Sequence, residues 1–532
     1  MPDQETIDRL FPADLPGPAS WQERYPERLL PPGAMATRFS PSPTGHVHIG
    51  GIYAAMIDRD LAVQSGGSYL VRIEDTDQAR EIEGAKEQFA RAFRHFGVVP
   101  LEDEETGAYG PYLQSARADI YLTYVRELLG EDKAYLCFAT REELAANTAQ
   151  QQAAKVPTGY YGQWARWRDA APEDVAQALA EGRPYVVRFR SPGVAGRRVE
   201  FTDAIRGRIE TEDNYNDAVI LKSSSQEIRL PTYHFAHAVD DHLMRISLVL
   251  RGEEWIPSVP LHLQLFAALG FPPIPYAHIA QLLKKEGSSK RKLSKRKDPE
   301  SSVDFYVESG YPVPAVMYYL RGLANGRLAE LPLEQALAEP IRLAECGNSG
   351  SLIDLVKLED ICGDYVATMS GEGIWAAVTE WATTFDPDLA TVLAASEPTA
   401  LRALSIERDG QDNPRKDLRK WSDFRAVYGY FFPELFTPVT ELPAGPLAAI
   451  DRDVVAAVAA DLAAGYADLP DRDEWFEQIR ALAARHGFAA TPKEHKAEPG
   501  RYHGAVREVA QIVRVALTGS TRSPDLHAVA RA

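Results

Sequence analysis

Two clusters of residues in this sequence stand out: one has the makings of a phosphate site, and the other is strongly basic. The first is Arg38-Phe39-Ser40-Pro41-Ser42-Pro43-Thr44-Gly45-His46-Val47-His48-Ile49-Gly50-Gly51. Its prolines fix a loop, its glycines permit close backbone approach, and His46 and His48 stand where a helix begins. The free N–H groups and positive dipole end of a helix favour anions, and an imidazole adds a hydrogen bond where negative charge grows. The second cluster is a basic run, Lys284, Lys285, Lys290, Arg291, Lys292, Lys295, Arg296 and Lys297, around a Gly-Ser-Ser stretch. Alone it reads as a solvated charge run or as a local surface for a nucleic acid. Neither a Gly-x-x-x-x-Gly-Lys-Ser/Thr loop nor a Gly-x-Gly-x-x-Gly loop occurs, so the phosphates are held by neither of the common devices.

Such residues act only if the chain brings them together. Ala36 to Ser40 reads as a short strand that the prolines break, and Ile49, Ile52, Tyr53, Met56, Ile57 and Leu61 then recur on one helical face. After Gly66-Gly67, the segment Tyr69 to Ile73 is a second strand, ending in Glu74-Asp75-Thr76-Asp77. Strand, turn, helix, strand makes a βαβ unit. Ligands of open α/β sheets sit beyond the carboxyl ends of the strands, so the proline-histidine turn and the Glu74 cluster face one site. Val455, Val458 and Leu462, and later Val506, Val509, Val513 and Leu517, keep helical spacing, so the last third reads as helical.

Composition narrows the class. A chain of 532 residues with 45% hydrophobic and 25% charged residues is ordinary multidomain globular protein. The start lacks a basic segment followed by an apolar run, and no stretch approaches the roughly 18 apolar residues of a membrane span, which predicts a cytoplasmic protein. Cys137, Cys346 and Cys362 are too few and too scattered for disulfides or a structural zinc site, and no metal site is expected. The net charge of −18 opposes indiscriminate nucleic-acid binding, so such a partner must meet the local basic run.

The Pro-Ser-Pro-Thr-Gly-His-Val-His-Ile-Gly-Gly stretch resembles the "HIGH" signature of class I aminoacyl-tRNA synthetases in its glutamyl form, where Gly51 replaces the usual last histidine. Lys292-Leu293-Ser294-Lys295-Arg296 is similar to the second signature of that class, a mobile loop whose lysines neutralise the triphosphate. Leu230-Pro231-Thr232-Tyr233-His234-Phe235-Ala236-His237-Ala238-Val239-Asp240-Asp241, Leu250-Arg251-Gly252-Glu253-Glu254-Trp255, Gly110-Pro111-Tyr112-Leu113-Gln114-Ser115 and Val506 to Gly519 also resemble blocks of the glutamyl family. The resemblance covers nearly the whole chain.

By matching positions, the resemblance implies that His46, His48, Lys292 and Lys295 are catalytic, with Lys295 foremost. It implies that Arg38 and Arg251 hold the two carboxylates of L-glutamate with help from Tyr233. Ser40, Ser42 and His237 line the pocket, and Glu74 takes the amino group. Arginine suits this task because its fork grips a carboxylate at two points. His48, Gly50, Glu254 and Lys295 are implied to face ATP, which enters with Mg2+ as co-substrate. Arg415, Lys416, Arg419, Lys420 and Trp421 combine bases with an aromatic ring, a composition that suits contact with tRNA and equally a solvated helix turn.

The implied architecture is α/β: a Rossmann-like catalytic domain split by an α/β insertion, followed by an all-α anticodon-binding region. Residues 1–35 form an N-terminal extension, 36–120 the first catalytic half, 121–230 the acceptor-end-binding insertion and 231–275 the second catalytic half. Residues 276–348 are a stem-contact region with the Lys292–Arg296 loop, and 349–532 the helical anticodon-binding domain. The implied partners are tRNA(Glu) and L-glutamate, with tRNA(Gln) left open, neither DNA nor a membrane, and a monomer as the family default. Two alternatives stand beside ligation for translation: a tRNA-binding paralogue without catalysis, which intact His48, Glu74, Arg251 and Lys295 oppose, and a ligase feeding a side pathway, whose site would look the same.

Overall fold

The computed structural model describes every residue except Met1, Pro2, Gln78, Ala79, Lys295, Asp409, Thr440 and 442–445. It divides into two units, Met1–Asp304 with Met317–Ile353, and Phe305–Val316 with Asp354–Ala532.

The first unit begins with α1 (Gln4–Arg9) and α2 (Pro18–Arg24), followed by β1 (Ala36–Phe39), α3 (Ile49–Ser65) and β2 (Ser68–Val71). Strands β1 and β2 pair in parallel, Arg38 opposite Leu70, so the expected βαβ unit is present. Helix α3 starts where His48 caps it and stops at Gly66, whose φ of 71° only glycine adopts without strain. Its apolar residues Ile49, Ile52, Met56, Ile57 and Leu61 are buried. Next come α4 (Ala85–His95), α5 (Ala118–Gly130), β3 (Ala134–Cys137), α6 (Arg141–Ala153), α7 (Pro172–Ala180), β4 (Val186–Phe189), β5 (Arg198–Asp203), β6 (Gly207–Glu212) and β7 (Val219–Leu221). Strands β3, β4 and β7 form an antiparallel sheet of their own.

The chain then returns through α8 (Tyr233–Leu243), β8 (Val249–Gly252), α9 (Val259–Leu269) and β9 (Tyr276–Ile279). Strands β8 and β9 are parallel, and the β5–β6 hairpin joins their sheet through a pairing of Asp203 with Tyr276. The two parallel pairs meet where the Ser247 N–H donates to the Ala36 carbonyl at 2.9 Å. The hairpin of β10 (Leu282–Glu286) and β11 (Ser289–Lys292) carries the basic run, and β10 also pairs with β12 (Ser351–Leu352).

Residues 3–31 are part of this unit's core. Ile7, Phe11, Leu15, Trp21 and Tyr25 are buried with Tyr121, Val125 and Leu128 of α5. Trp21 donates to Thr123 Oγ1 at 2.9 Å. Arg28 grips Glu102 with both Nη atoms, at 2.6 and 2.8 Å, and lies 3.9 Å over the Tyr109 ring. Arg245 donates through Nε to the Tyr25 carbonyl at 3.0 Å.

In the second unit, the elements from Leu355 onward are helices among the described residues, as the apolar spacing predicts, with one isolated parallel bridge between Ala489 and Ala505. It has two apolar cores, one around Ile374, Leu393, Leu404, Phe424 and Tyr428, the other around Val458, Trp475, Ile479, Val509 and Val513. Among the described residues no helix is long and apolar enough to cross a membrane, and no group of three or more His, Cys, Asp or Glu is placed to hold a metal.

Candidate active site

A cavity of about 690 Å³ opens beyond the carboxyl ends of β1, β2, β8 and β9. Each strand delivers part of its wall: Ser40 and Ser42 follow β1, Glu74 follows β2, Glu254 follows β8, and Gln281 follows β9. The convergence expected for the first two strands thus extends to four. Arg38, His48, Gly50, Tyr233, Arg251 and Lys292 also face this cavity. Gly51 lies where an added Cβ would stand 3.2 Å from the Phe39 ring, a physical reason for glycine there. A Cβ at Gly252 would collide with the Glu254 carboxylate.

At the mouth of α3, His48 Nδ1 accepts the Gly50 N–H at 2.9 Å, which puts the proton of the neutral ring on Nε2. Gly50 therefore contributes room rather than a donor. His46 is exposed and is not part of the cavity wall.

Beneath the wall lies a buried charged network. Arg38 Nε is 3.1 Å from Asp241 Oδ2, and its Nη1 donates to the Leu250 carbonyl at 3.1 Å. Arg72 reaches Asp241 Oδ1 at 2.5 Å and Glu74 Oε1 at 3.3 Å. Burial alone would raise the Asp241 carboxyl, but Arg38 and Arg72 hold it well below the usual range. Glu74 behaves oppositely: burial pushes it up to about 7, against the pull of Arg72 and Arg38. A carboxylate so close to protonation gains much from a cation placed against it.

Arg251 is 6% exposed, and all its side-chain acceptors are neutral groups. Nε donates to His278 Nε2 at 3.1 Å, Nη1 to the Tyr233 hydroxyl at 3.4 Å, and Nη2 to His262 Nδ1 at 3.2 Å. Burial, with the other imidazoles and Arg251 around it, holds His262 well below its ordinary range, so it is uncharged. The Tyr276 ring lies 4.6 Å from the guanidinium carbon. Among the described residues no carboxylate is ion-paired with Arg251, and one N–H on each Nη remains for an anion.

His237 is fully buried behind the wall, its ring parallel to that of Tyr233 at 6.0 Å, rather than part of the cavity surface. It sits 2.7 Å from Asp241 Oδ2 and 3.0 Å from the Tyr276 hydroxyl. It is linked to Arg38 through their shared carboxylate, Asp241.

The basic run is a hairpin whose rungs set Lys284 opposite Arg291 and Lys285 opposite Lys290. Asp298 relieves this crowding, receiving both Nη atoms of Arg291 at 2.6 and 2.8 Å and the Ser294 N–H at 2.8 Å. Lys292, at the end of β11, is 2.9 Å from Glu254 Oε1. Burial would raise the Glu254 carboxyl, but Lys292 and hydrogen bonding hold it below its ordinary value. Lys295 lies outside the described residues.

In the second unit one expectation is corrected. Trp421 is only 9% exposed and packs in the core with Leu418 and Phe424, so its ring is not available to stack on a base. The bases beside it are paired: Arg415 with Asp417, Lys416 with Asp364 at 2.7 Å, Arg419 with Asp360 at 3.4 Å, and Lys420 with Glu359 at 3.0 Å. The aromatic-among-bases pattern does not separate a stacking platform from a core tryptophan in a charged rim.

Several site residues carried no role in the sequence reading. Asp241 and Arg72 are signalled by charges within otherwise apolar elements. His262, His278 and the wall residue Lys222 stand alone in sequence, and nothing local marks them.

The family model described as the catalytic domain of class I tRNA synthetases (E and Q) matches residues 34–359. The chain is 41% identical over 520 residues to the glutamate-tRNA ligase of Clostridium beijerinckii, covering 95% of this chain and 93% of that one. It is 41% identical over 533 residues to that of Clostridium perfringens strain 13, covering 98% and 96%. Its fold is similar to a solved glutamate tRNA ligase from Elizabethkingia meningosepticum in complex with its amino acid, with a TM-score of 0.72 and 28% identity over 93% of this chain and 95% of the other.

Proposed function

The chain belongs to the glutamate-tRNA ligase family of class I aminoacyl-tRNA synthetases, and from that premise we propose how its cavity joins L-glutamate to the 3′ end of tRNA(Glu) using MgATP. The observation that carries the reading is Arg251, a buried cation on the cavity wall whose side-chain partners are neutral. It suits a carboxylate of the substrate. Glutamine in its place would leave the charge unpaired, a penalty of roughly 3–5 kcal/mol.

Arg38 and Arg251, with the Tyr233 hydroxyl, take the two carboxylates of glutamate, and ionised Glu74 takes its ammonium. Ser40 and Ser42 complete the wall. The α-carboxylate then attacks the α-phosphorus of ATP, and pyrophosphate leaves. His48, with its proton on Nε2, is suited to donate to the phosphates. Gly50 leaves them room to approach, and Glu254 bounds the nucleotide side. Lys292 exchanges Glu254 for the phosphates, and Lys295 neutralises the leaving pyrophosphate. His46 contributes from outside the wall. The terminal ribose hydroxyl of tRNA next attacks the acyl carbon of the adenylate, the acyl–phosphate bond breaks, and AMP leaves with the hydroxyl proton passing to its phosphate. Positioning and electrostatics supply the rate enhancement, and no covalent enzyme intermediate is needed.

In this reading residues 121–230 handle the acceptor end, 276–348 the stem, and 349–532 the anticodon, with the enzyme acting as a cytoplasmic monomer. The helical content of the last region and the family blocks within it support that division. Phosphates of tRNA would replace the carboxylates now paired with Arg415, Lys416, Arg419 and Lys420.

The test is transfer of labelled glutamate and, separately, glutamine onto total bacterial tRNA with MgATP, for wild type, Lys295→Ala and Arg251→Cys. Glutamate charging by wild type and its loss in Lys295→Ala are expected. A wild-type protein that binds tRNA and charges neither amino acid overturns the reading.

A further inference from the structure

Arg251 can discriminate a carboxylate from an amide only if its fork is held toward the cavity, and the structure contains a device for this that begins outside the catalytic halves. Asp203 is the last residue of β5, in the segment inserted between those halves, and is 1% exposed. Its carboxylate accepts the backbone N–H groups of Ile205 at 3.0 Å, Arg206 at 2.9 Å and His278 at 3.1 Å. It also lies 2.6 Å from Nδ1 of His278, itself fully buried. A carboxylate held by that many donors is ionised and fixed, so the Nδ1 position carries the proton. The lone pair of His278 is thereby left on Nε2, which accepts Arg251 Nε–H at 3.1 Å.

A second nitrogen of the guanidinium, Nη2, is matched in the same way. Arginine only donates, so His262 Nδ1 must accept from Nη2. Its proton is then on Nε2, 2.9 Å from His234 Nδ1. Both flanking imidazoles present lone pairs to Arg251, a residue of the cavity wall, and one N–H on each Nη is left for an anion.

We propose that Asp203 and His278 are positioning residues for amino-acid recognition: Asp203 fixes the His278 tautomer, His278 orients Arg251, and the selectivity for glutamate over glutamine depends on that chain. This rests on the reading of Arg251 as a carboxylate ligand. A purely structural role for the pair would change the amount of active enzyme without changing KM for glutamate, which is independent of the folded fraction.

The experiment measures KM for glutamate, KM for ATP and the glutamate-to-glutamine charging ratio in full-length wild type, His278→Leu, His278→Gln and Asp203→Asn. Loss of an oriented hydrogen bond to a charged group corresponds to about a 10- to 100-fold rise in KM for glutamate in His278→Leu, with KM for ATP unchanged. The charging ratio falls with it. His278→Gln, whose amide oxygen can reach the Nε2 position, restores KM to within about threefold. Asp203→Asn, which permits the other tautomer, behaves like His278→Leu. Wild-type KM and charging ratio in both His278→Leu and Asp203→Asn overturn the proposal while wild-type charging of glutamate keeps the functional reading intact. Absence of glutamate charging by the wild type fails that reading instead.

Discussion

With Glu74 proposed to take the substrate ammonium, glutamate recognition is expected to depend on pH in a window where free glutamate itself does not change charge. The carboxyl is buried, and burial pushes it up to about 7 in the ligand-free protein, against Arg72 at 3.3 Å and Arg38, with Asp241 adding a small push in the same direction as burial. Only the ionised form pairs with the substrate ammonium. At pH 8 about 90% of the enzyme is competent and at pH 6 about 10%, so KM for glutamate rises about tenfold between them, or ~1.4 kcal/mol. His234 and His237 are held near 4 by burial and stay neutral throughout this window. The linkage to folding has the opposite sign to the usual carboxylate. Native Glu74 binds its proton more tightly than an unfolded one, whose ordinary value is 4.5. The stability it contributes is present in acid and is lost as pH rises through about 7. Initial rates of glutamate charging at saturating tRNA and ATP, taken at half-unit steps from pH 6 to 8, give the profile. In Glu74→Gln the slope disappears and KM is high at every pH. A wild-type KM that stays flat across the range refutes the assignment of Glu74 to the ammonium.

Arg28→Ala removes one partner of an ion pair whose side chains are 8% and 10% exposed, and is expected to destabilise the first unit by about 3–5 kcal/mol. Urea unfolding followed by Trp21 fluorescence reads this, and an unchanged midpoint contradicts the structural role given to the N-terminal residues. Trp421→Ala opens a cavity in the first helical core and costs about 3–5 kcal/mol of stability in the second unit, read by thermal melting, while tRNA affinity of the folded protein stays at the wild-type value. A specific loss of tRNA binding at unchanged stability would restore the ring to the interface.

What could be read from the sequence was mostly local. The turn after β1, the helix that follows and the acidic end of β2 are consecutive in the chain, so periodicity and turn chemistry place them without knowledge of the rest. Arg251 and Tyr233 were accessible only because their neighbours form family-like blocks. The residues that orient them were not legible: His262 and His278 contact Arg251 and Asp203 contacts His278, all from three different elements, and the Asp203–His278 pairing depends on the register of β5 against β9. His237 and Trp421 show the same limit from the other side. The family resemblance marks His237 and an aromatic ring among bases marks Trp421 as candidates for contact, and burial, a property of the assembled fold, takes both away from the surface.

The contacts of residues 3–31 also set an order of events during synthesis. The carboxylate that Arg28 grips lies 74 residues downstream, and the arginine that holds the Tyr25 carbonyl lies 220 residues downstream. At about 5–20 residues per second, these partners are made roughly 4–15 s and 11–44 s later. Until residues 118–130 have been made, Ile7, Phe11, Leu15 and Trp21 lack the α5 they pack against. The opening segment of this chain therefore leaves the ribosome before the partners of its buried residues exist, and its last tie, from Arg245 to the Tyr25 carbonyl, forms only after nearly half of the chain has been made.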